Sequence, residues 1–196
     1  MPRGPRFLMD DGYYHIVTRG NNKKLLFIDE FDYEMMKKTI ARYLEKFNIG
    51  LVHYCLMPNH LHWVVQTWTA RDLPKFMQGV LQVYAAYFKD KYSAVGYLFQ
   101  NRYKSLFIDK ESYLLECARY IERNPLRAKL VNDLREYKYS SFHYYALAQP
   151  DELLNKINPL YKDFGSNPVA RQAAYLKYVL QERPYDQIVD DVFRIR

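Results

Sequence analysis

Apolar residues gather in four short blocks along the chain, and between the blocks they recur at helical spacing. Residues 13–19 (YYHIVTR) read as a strand closed by the turn formers Gly20, Asn21 and Asn22. Residues 29–47 read as a helix, with Asp29 as a candidate cap and Met36, Ile40, Tyr43, Leu44 and Phe47 on its buried face. Two strands follow, 50–57 (GLVHYCLM) and 60–67 (HLHWVVQT), and Pro58-Asn59 between them makes a tight β-hairpin. A long helix is expected over 72–91, capped by Asp72, with Leu73, Phe76, Met77, Val80, Tyr84 and Phe88 as its stripe. Residues 97–108 read as a fourth strand and 110–123 as a helix with Asp109 as candidate cap. In that helix Leu114, Cys117, Ala118 and Ile121 take positions i, i+3, i+4 and i+7.

The order βαββαβ plus a helix predicts an α+β fold, a ferredoxin-like antiparallel sheet with helices on one face. Beyond about residue 132 the chain is tyrosine-rich and then helical, and Asn167-Pro168 opens a helix over 168–182 with preferred cap and first-turn residues. The expected organisation is one domain over 1–145 and a helical C-terminal extension over 146–196 whose role the sequence does not disclose.

Composition narrows the function. Of 196 residues, 49% are hydrophobic, so a full core can form and disorder is excluded as the main state. The 29 Lys and Arg exceed the 22 Asp and Glu, and the net charge of +7 points to a polyanion or an acidic surface. Cys55 and Cys117 cannot make a disulfide framework. No apolar run approaches a membrane span and the first residues lack the apolar stretch of a secretory signal, so the expected location is cytoplasmic, without a membrane partner. Phosphate-binding GxxxxGK and GxGxxG loops and a GxSxG elbow are missing, which argues against nucleotide-dependent and serine-hydrolase chemistry.

Three groups of residues carry candidate chemistry. His60 and His62 are two apart in a strand, so both imidazoles share a face while Leu61, Trp63 and Val65 take the other, and two neighbouring imidazoles can chelate a divalent metal. Tyr120 and Asn124 are i and i+4 on a helix, on the flank of its apolar stripe, where they are expected to face the sheet edge rather than the middle of the core. Should Asn124 touch a metal, Tyr120 reaches the same phosphate, whereas Tyr113 lies roughly 16 Å from Asn124 along the axis. Positive charge surrounds these elements: Arg119, Arg123, Arg127 and Lys129 on or after the helix, Arg102 and Lys104 on the strand before it, Arg19, Lys23 and Lys24 beyond the first strand. Cations interleaved with aromatic rings suit single-stranded nucleic acid. The same residues also allow blander roles, in which Asn124 ends a helix before Pro125, Tyr120 packs, and the cations form a solvated face. A zinc site is a further alternative, since a two-residue turn sets Cys55 opposite His62 and His53 opposite Val64, on the face of the two imidazoles.

Together, MPNHLHWVV and LFQNRYKSLFIDKESYLLECARYIERNPLRAKLV, with the opening YYHIVTRGNNKKLLF and the later YKYSSFHYY, resemble the single-tyrosine HUH transposases. The nearest group is the REP-associated tyrosine transposases, and the resemblance covers about residues 10–145. It implies that His60 and His62 form the HUH element, that Tyr120 is the nucleophile, and that Asn124 adds a third metal contact. It implies a Mg²⁺- or Mn²⁺-dependent nicking and strand transfer on single-stranded DNA through a 5′-phosphotyrosine, on DNA that folds into hairpins. Relatives that transpose act as dimers and REP-associated ones as monomers, so a homodimer and a monomer both stay open. Arg3, Arg6 and the 20–24 loop are the candidates for reading a DNA hairpin. The alternative is a DNA-hairpin-binding protein without catalysis.

Overall fold

The computed structural model describes residues 8–193, so the candidates Arg3 and Arg6 lie outside the described residues. Four strands, β1 (Gly12–Arg19), β2 (Ile49–Met57), β3 (His60–Thr67) and β4 (Lys104–Ile108), form one antiparallel sheet in the order β2-β3-β1-β4. This is the ferredoxin-like arrangement expected from the element order. The β-hairpin keeps the register that its two-residue turn dictates, with Met57 opposite His60, Cys55 opposite His62 and His53 opposite Val64. A bulge between Leu51 and His53 adds one residue to β2 and turns Val52 and His53 toward the same side.

Helices cover both faces, not one as expected, because the helix after the βαββαβ unit folds back over the side that the unit's own helices leave open. Alternate residues Tyr14, Ile16, Leu61, Trp63 and Val65 pack under the helices of the βαββαβ unit, α1 (Glu30–Leu44) and α2 (Asp72–Tyr92). The other parity, Val17, Cys55, Met57 and Val64, meets the helix that follows the unit, α3 (Glu111–Arg127), through Leu114, Cys117, Tyr120 and Ile121. Strand period 2 thus delivers every second residue, His60 and His62 among them, to the α3 face.

Several boundaries differ from the sequence reading for local reasons. Asp29 caps α1 in a full capping box with Asp32, an arrangement worth about 1 kcal/mol. Asp72 and Asp109 do not cap: α2 starts after Arg71, with Asp72 inside it receiving the Asn48 N–H at 3.3 Å, and α3 starts after Lys110. Residues 97–103 are irregular rather than strand, and only the Phe99–Gly20 bridge continues the pairing beyond β4. Helix α3 runs through Pro125 to Arg127 instead of stopping at Asn124. The proline lacks the N–H that would bond the carbonyl four residues back, yet the Leu130 N–H bonds its own carbonyl at 3.0 Å and closes the turn.

After α3 the chain continues as α4 (Phe142–Leu147), which spans the expected boundary at 145, then α5 (Pro168–Val179) and α6 (Tyr185–Phe193). Asn167 caps α5 as expected, accepting from the Ala170 N–H at 3.0 Å, and α5 ends at Val179. Helices α4 and α5 bury Phe142, Tyr145, Tyr175 and Val179 in a small core of their own. That core is joined to the main sheet by a buried carboxylate, Glu122, which accepts from Ser141 Oγ at 2.6 Å and Tyr175 OH at 2.9 Å and faces His53 Nδ1 at 2.8 Å. Among the described residues no helix is long and apolar enough to cross a membrane.

Candidate metal and nucleophile site

The Pro58-Asn59 turn places His60 at the first position of β3, and it is held from outside by the loop after β1: Gly20 N–H bonds the Asn59 carbonyl at 2.8 Å and Leu26 N–H bonds the Pro58 carbonyl at 2.7 Å. The Asn59 Oδ1 lies 2.6 Å from His60 Nδ1, so Nδ1 carries the proton and Nε2 keeps its lone pair. His62, two residues on and fully buried, puts its ring centroid 4.9 Å from that of His60 and its Nδ1 3.0 Å from His15 Nε2 on β1. The Nε2 atoms of both His60 and His62 are buried with no hydrogen-bond partner. An orphaned buried polar atom costs roughly 1–3 kcal/mol. Two of them on neighbouring imidazoles, each opposite an occupied Nδ1, form the donor set that a divalent cation satisfies.

Burial pushes the His60 imidazole down to about 4, helped by Arg19 across the β1 register, and pushes His62 well below its usual value, with His60 and His15 adding to the effect. Burial lowers His15 to about 3. All three rings are therefore neutral near pH 7, the form in which imidazole binds metal.

Tyr120 comes from α3 onto the same spot. Its ring centroid lies 5.5 Å from that of His62 and 5.8 Å from that of His15, edge-on to both. Because β3 and β1 are the central strands, the phenol stands over the middle of the sheet, not at the edge the helical flank suggested. Asn124 sits one turn further on, 6% exposed, and its Nδ2 is a third buried atom without a partner. A half-turn of the amide presents the oxygen in its place. Tyr113 is 42% exposed at the far end of the helix.

The phenol is covered. Tyr120 OH donates to Asp190 Oδ1 of α6 at 2.8 Å, and burial followed by the Asp190 charge raises its pKa far above the usual 10. The Arg127 guanidinium lies 4.9 Å over the Tyr120 ring and pairs with Asp190 Oδ2 at 2.7 Å. Arg119, Arg123 and Arg127, spaced by four on α3, meet Glu182, Asp186 and Asp190, also spaced by four. Arg119 is fully buried between Asp186, Glu116 and the Gln181 carbonyl, and Arg123 bonds Glu182 at 2.6 Å and Asp186 at 3.3 Å. The two arginines expected to face DNA thus lie beneath α6.

The other expected cations lie elsewhere. Lys23 and Lys24 are exposed in the loop after β1, where Asn22 and Lys23 both adopt left-handed backbone, and Arg102 and Lys104 are exposed before and at the start of β4. Arg19 is half-buried and bonds Gln100. The zinc alternative does not assemble: His53 turns to Glu122 and to Asn158 Nδ2 at 2.9 Å, and among the described residues no cluster of three or more His, Cys, Asp or Glu is placed to hold a metal. Sequence reasoning missed His15 and Asp190. His15 shares the parity of Tyr13 and Val17 in β1, but only the β1–β3 pairing reveals that it meets His62. The four-residue repeat of acids at 182, 186 and 190, matching the arginine repeat on α3, is a signal for the α6 docking that lay in the sequence.

The family described as "Transposase IS200 like" matches residues 9–124, a span from just before β1 to the Tyr120–Asn124 turn. A solved REP-associated tyrosine transposase bound to a REP hairpin superposes with a TM-score of 0.66 at 15% identity, covering 76% of this chain and 87% of that one, which establishes a shared fold. A Deinococcus radiodurans R1 protein, assigned only provisionally as a transposase, aligns at a TM-score of 0.43 and 17% identity over 63% of this chain and 95% of its own. No curated relative matches.

Proposed function

We propose a reaction from a settled premise: the chain belongs to the IS200-like transposase family. The reaction is nicking and strand transfer of single-stranded DNA, with Tyr120 as nucleophile and a divalent cation, Mg²⁺ or Mn²⁺, held by His60, His62 and Asn124. The observation that carries it is the pair of buried, partnerless Nε2 atoms on neighbouring imidazoles, with the His62 ring 5.5 Å from that of Tyr120, centroid to centroid. Imidazole favours Mn²⁺ over Mg²⁺, so Mn²⁺ binds more tightly. When bound, the cation supplies Lewis-acid polarisation of the scissile phosphate.

The chain's own residues do the rest. The Tyr120 hydroxyl leaves Asp190, which requires α6 to lift from α3 and exposes Arg119, Arg123 and Arg127 to phosphates. The phenol gives its proton to water, which later returns one to the leaving 3′ oxygen, and the Arg127 guanidinium over the ring favours this by stabilising the phenolate. The phenolate oxygen bonds the phosphorus, the bond from phosphorus to the 3′ oxygen breaks, and that oxygen takes up a proton as a free 3′ hydroxyl. One phosphoester replaces another, so a second 3′ hydroxyl can reverse the step without ATP. Substrates that fold into hairpins beside a single-stranded cleavage point fit the exposed 20–24 loop with Lys23 and Lys24, together with the DNA hairpin bound by the structural neighbour. Arg3, Arg6, Arg19, Arg102 and Lys104 are proposed contacts to the same DNA.

The test is covalent trapping on an oligonucleotide hairpin in Mn²⁺, read on denaturing gels. Wild type retains DNA and Tyr120→Phe does not. Equal trapping by both removes Tyr120 as nucleophile, and no trapping by either favours a protein that binds DNA hairpins without cutting them.

A further inference from the structure

We propose that His15 is a positioning residue for the metal centre: its Nε2 accepts the His62 Nδ1 proton and so fixes His62 in the one tautomer whose Nε2 can bind a cation. The inference rests on the metal-site reading of His60 and His62 and adds to it a residue with no metal contact of its own.

The geometry allows two proton arrangements along one buried line. His62 Nδ1 and His15 Nε2 are 3.0 Å apart, and His15 Nδ1 lies 4.0 Å from Cys117 Sγ on α3. In the first arrangement His62 Nδ1–H donates to His15 Nε2, His15 Nδ1–H points at the sulfur, and His62 Nε2 offers a lone pair. In the second the thiol donates to His15 Nδ1, His15 Nε2–H donates to His62 Nδ1, and a proton stands on His62 Nε2. That proton would be a buried donor, because His62 Nε2 has no protein partner. A thiol sulfur is weak both as donor and as acceptor, so the choice is made at the other end: a cation on His62 Nε2 takes that lone pair and leaves the proton on Nδ1, 3.0 Å from the His15 Nε2 that accepts it. His60 reaches the same state by a different route, through Asn59 Oδ1. The two imidazoles therefore present matched lone pairs, one oriented by the turn and one by the neighbouring strand. Full burial of His15 and His62 denies water the chance to replace either partner.

Outer partners of metal-bound histidines are worth roughly 10–100-fold in metal affinity. The experiment is Mn²⁺ binding to the full chain without DNA, followed by the loss of the free-ion signal in electron paramagnetic resonance. Wild type should bind one Mn²⁺. His15→Phe, which fills the space but accepts no hydrogen bond, should bind about 10–100-fold more weakly. His15→Gln, whose amide oxygen can accept, should recover a large part of the loss. Affinity for a DNA hairpin should stay level in both variants, which reports the fold. His15→Phe binding as tightly as wild type, or His15→Gln failing as badly as His15→Phe, would overturn the role. A wild-type chain that binds no Mn²⁺ would instead bring down the metal reading itself. A measurement needing no variant is the imidazole nitrogen spectrum of the wild type loaded with diamagnetic Mg²⁺. It should show His62 protonated at Nδ1, and a proton on Nε2 would contradict the inference.

Discussion

Replacing Asp190 by Asn should speed DNA cleavage. The carboxylate helps to hold α6 against α3 through contacts of 2.8 Å to the Tyr120 hydroxyl and 2.7 Å to Arg127. Their side chains are nearly buried, 4% exposed for Asp190 and 12% for Arg127, so solvent screens the pair only weakly. A hydrogen bond to a charged group contributes about 1.5–3 kcal/mol. Asparagine keeps an acceptor for the phenol but removes the charge that Arg127 sees, so the docked state weakens by about 1–2 kcal/mol. That shifts its equilibrium by about 5–30-fold. Removing the anion also lets the Tyr120 pKa fall, in the same favourable direction. If undocking precedes attack, the single-turnover rate of covalent adduct formation should rise by a similar factor, measured by quenching Mn²⁺ reactions into denaturing gels. An unchanged rate would mean that α6 does not compete with DNA, and a lower one would recast Asp190 as the proton acceptor for Tyr120.

His60→Ala and His62→Ala should each abolish cleavage while leaving the affinity for a DNA hairpin unchanged, and Asn124→Ala should raise the Mn²⁺ concentration needed without abolishing the reaction; weakened binding with cleavage restored at high protein would contradict the assignment. Lys23→Gln with Lys24→Gln should weaken DNA-hairpin binding and flatten its salt dependence, by roughly 0.7–0.9 in log–log slope for each phosphate that the loop no longer neutralises, and an unchanged slope would remove the 20–24 loop from the DNA-binding surface. Stability should fall as pH drops below about 6.5, because the unfolded chain then protonates histidines that the fold holds neutral down to about 4 for His60 and about 3 for His15. The unfolded state binds the extra protons, so each such histidine contributes a loss of about 1.4 kcal/mol per pH unit within that window. Urea midpoints at pH 7 and pH 5 read this, and His15→Phe should shallow the fall.

The β2–β3 hairpin and the face of the His60 and His62 pair were legible because both depend on contacts near in sequence. A two-residue turn fixes register, register with period 2 fixes facing, and so His60, His62 and the pairing of Cys55 with His62 follow from residues 50–67. That Tyr120 and Asn124 share one helix flank follows from the helical repeat of their own segment, while the roles proposed for them come from the family resemblance. What the sequence concealed is carried by contacts between distant segments. His15 meets His62 across 47 positions and leaves no local pattern, and Asp190 meets Tyr120 across 70, its one trace being the acid repeat at 182, 186 and 190. Nor could helical angles place Tyr120 over the central strands, because which strands α3 crosses is set by the packing of Leu114, Cys117 and Ile121 against β1 and β2 residues. The irregular 97–103 segment has the apolar content of a strand, yet only its Phe99–Gly20 bridge extends the pairing next to β1, so pattern overcounted it.

Nicking by the proposed route bonds the Tyr120 oxygen to DNA phosphorus. Mass spectrometry of the trypsin- and nuclease-digested adduct formed in Mn²⁺ reads that bond. A nucleotide-sized mass increment is expected on the peptide containing Tyr120, dependent on the cation and missing from Tyr120→Phe. An increment on another residue, or free cleaved ends without any protein adduct, would contradict it.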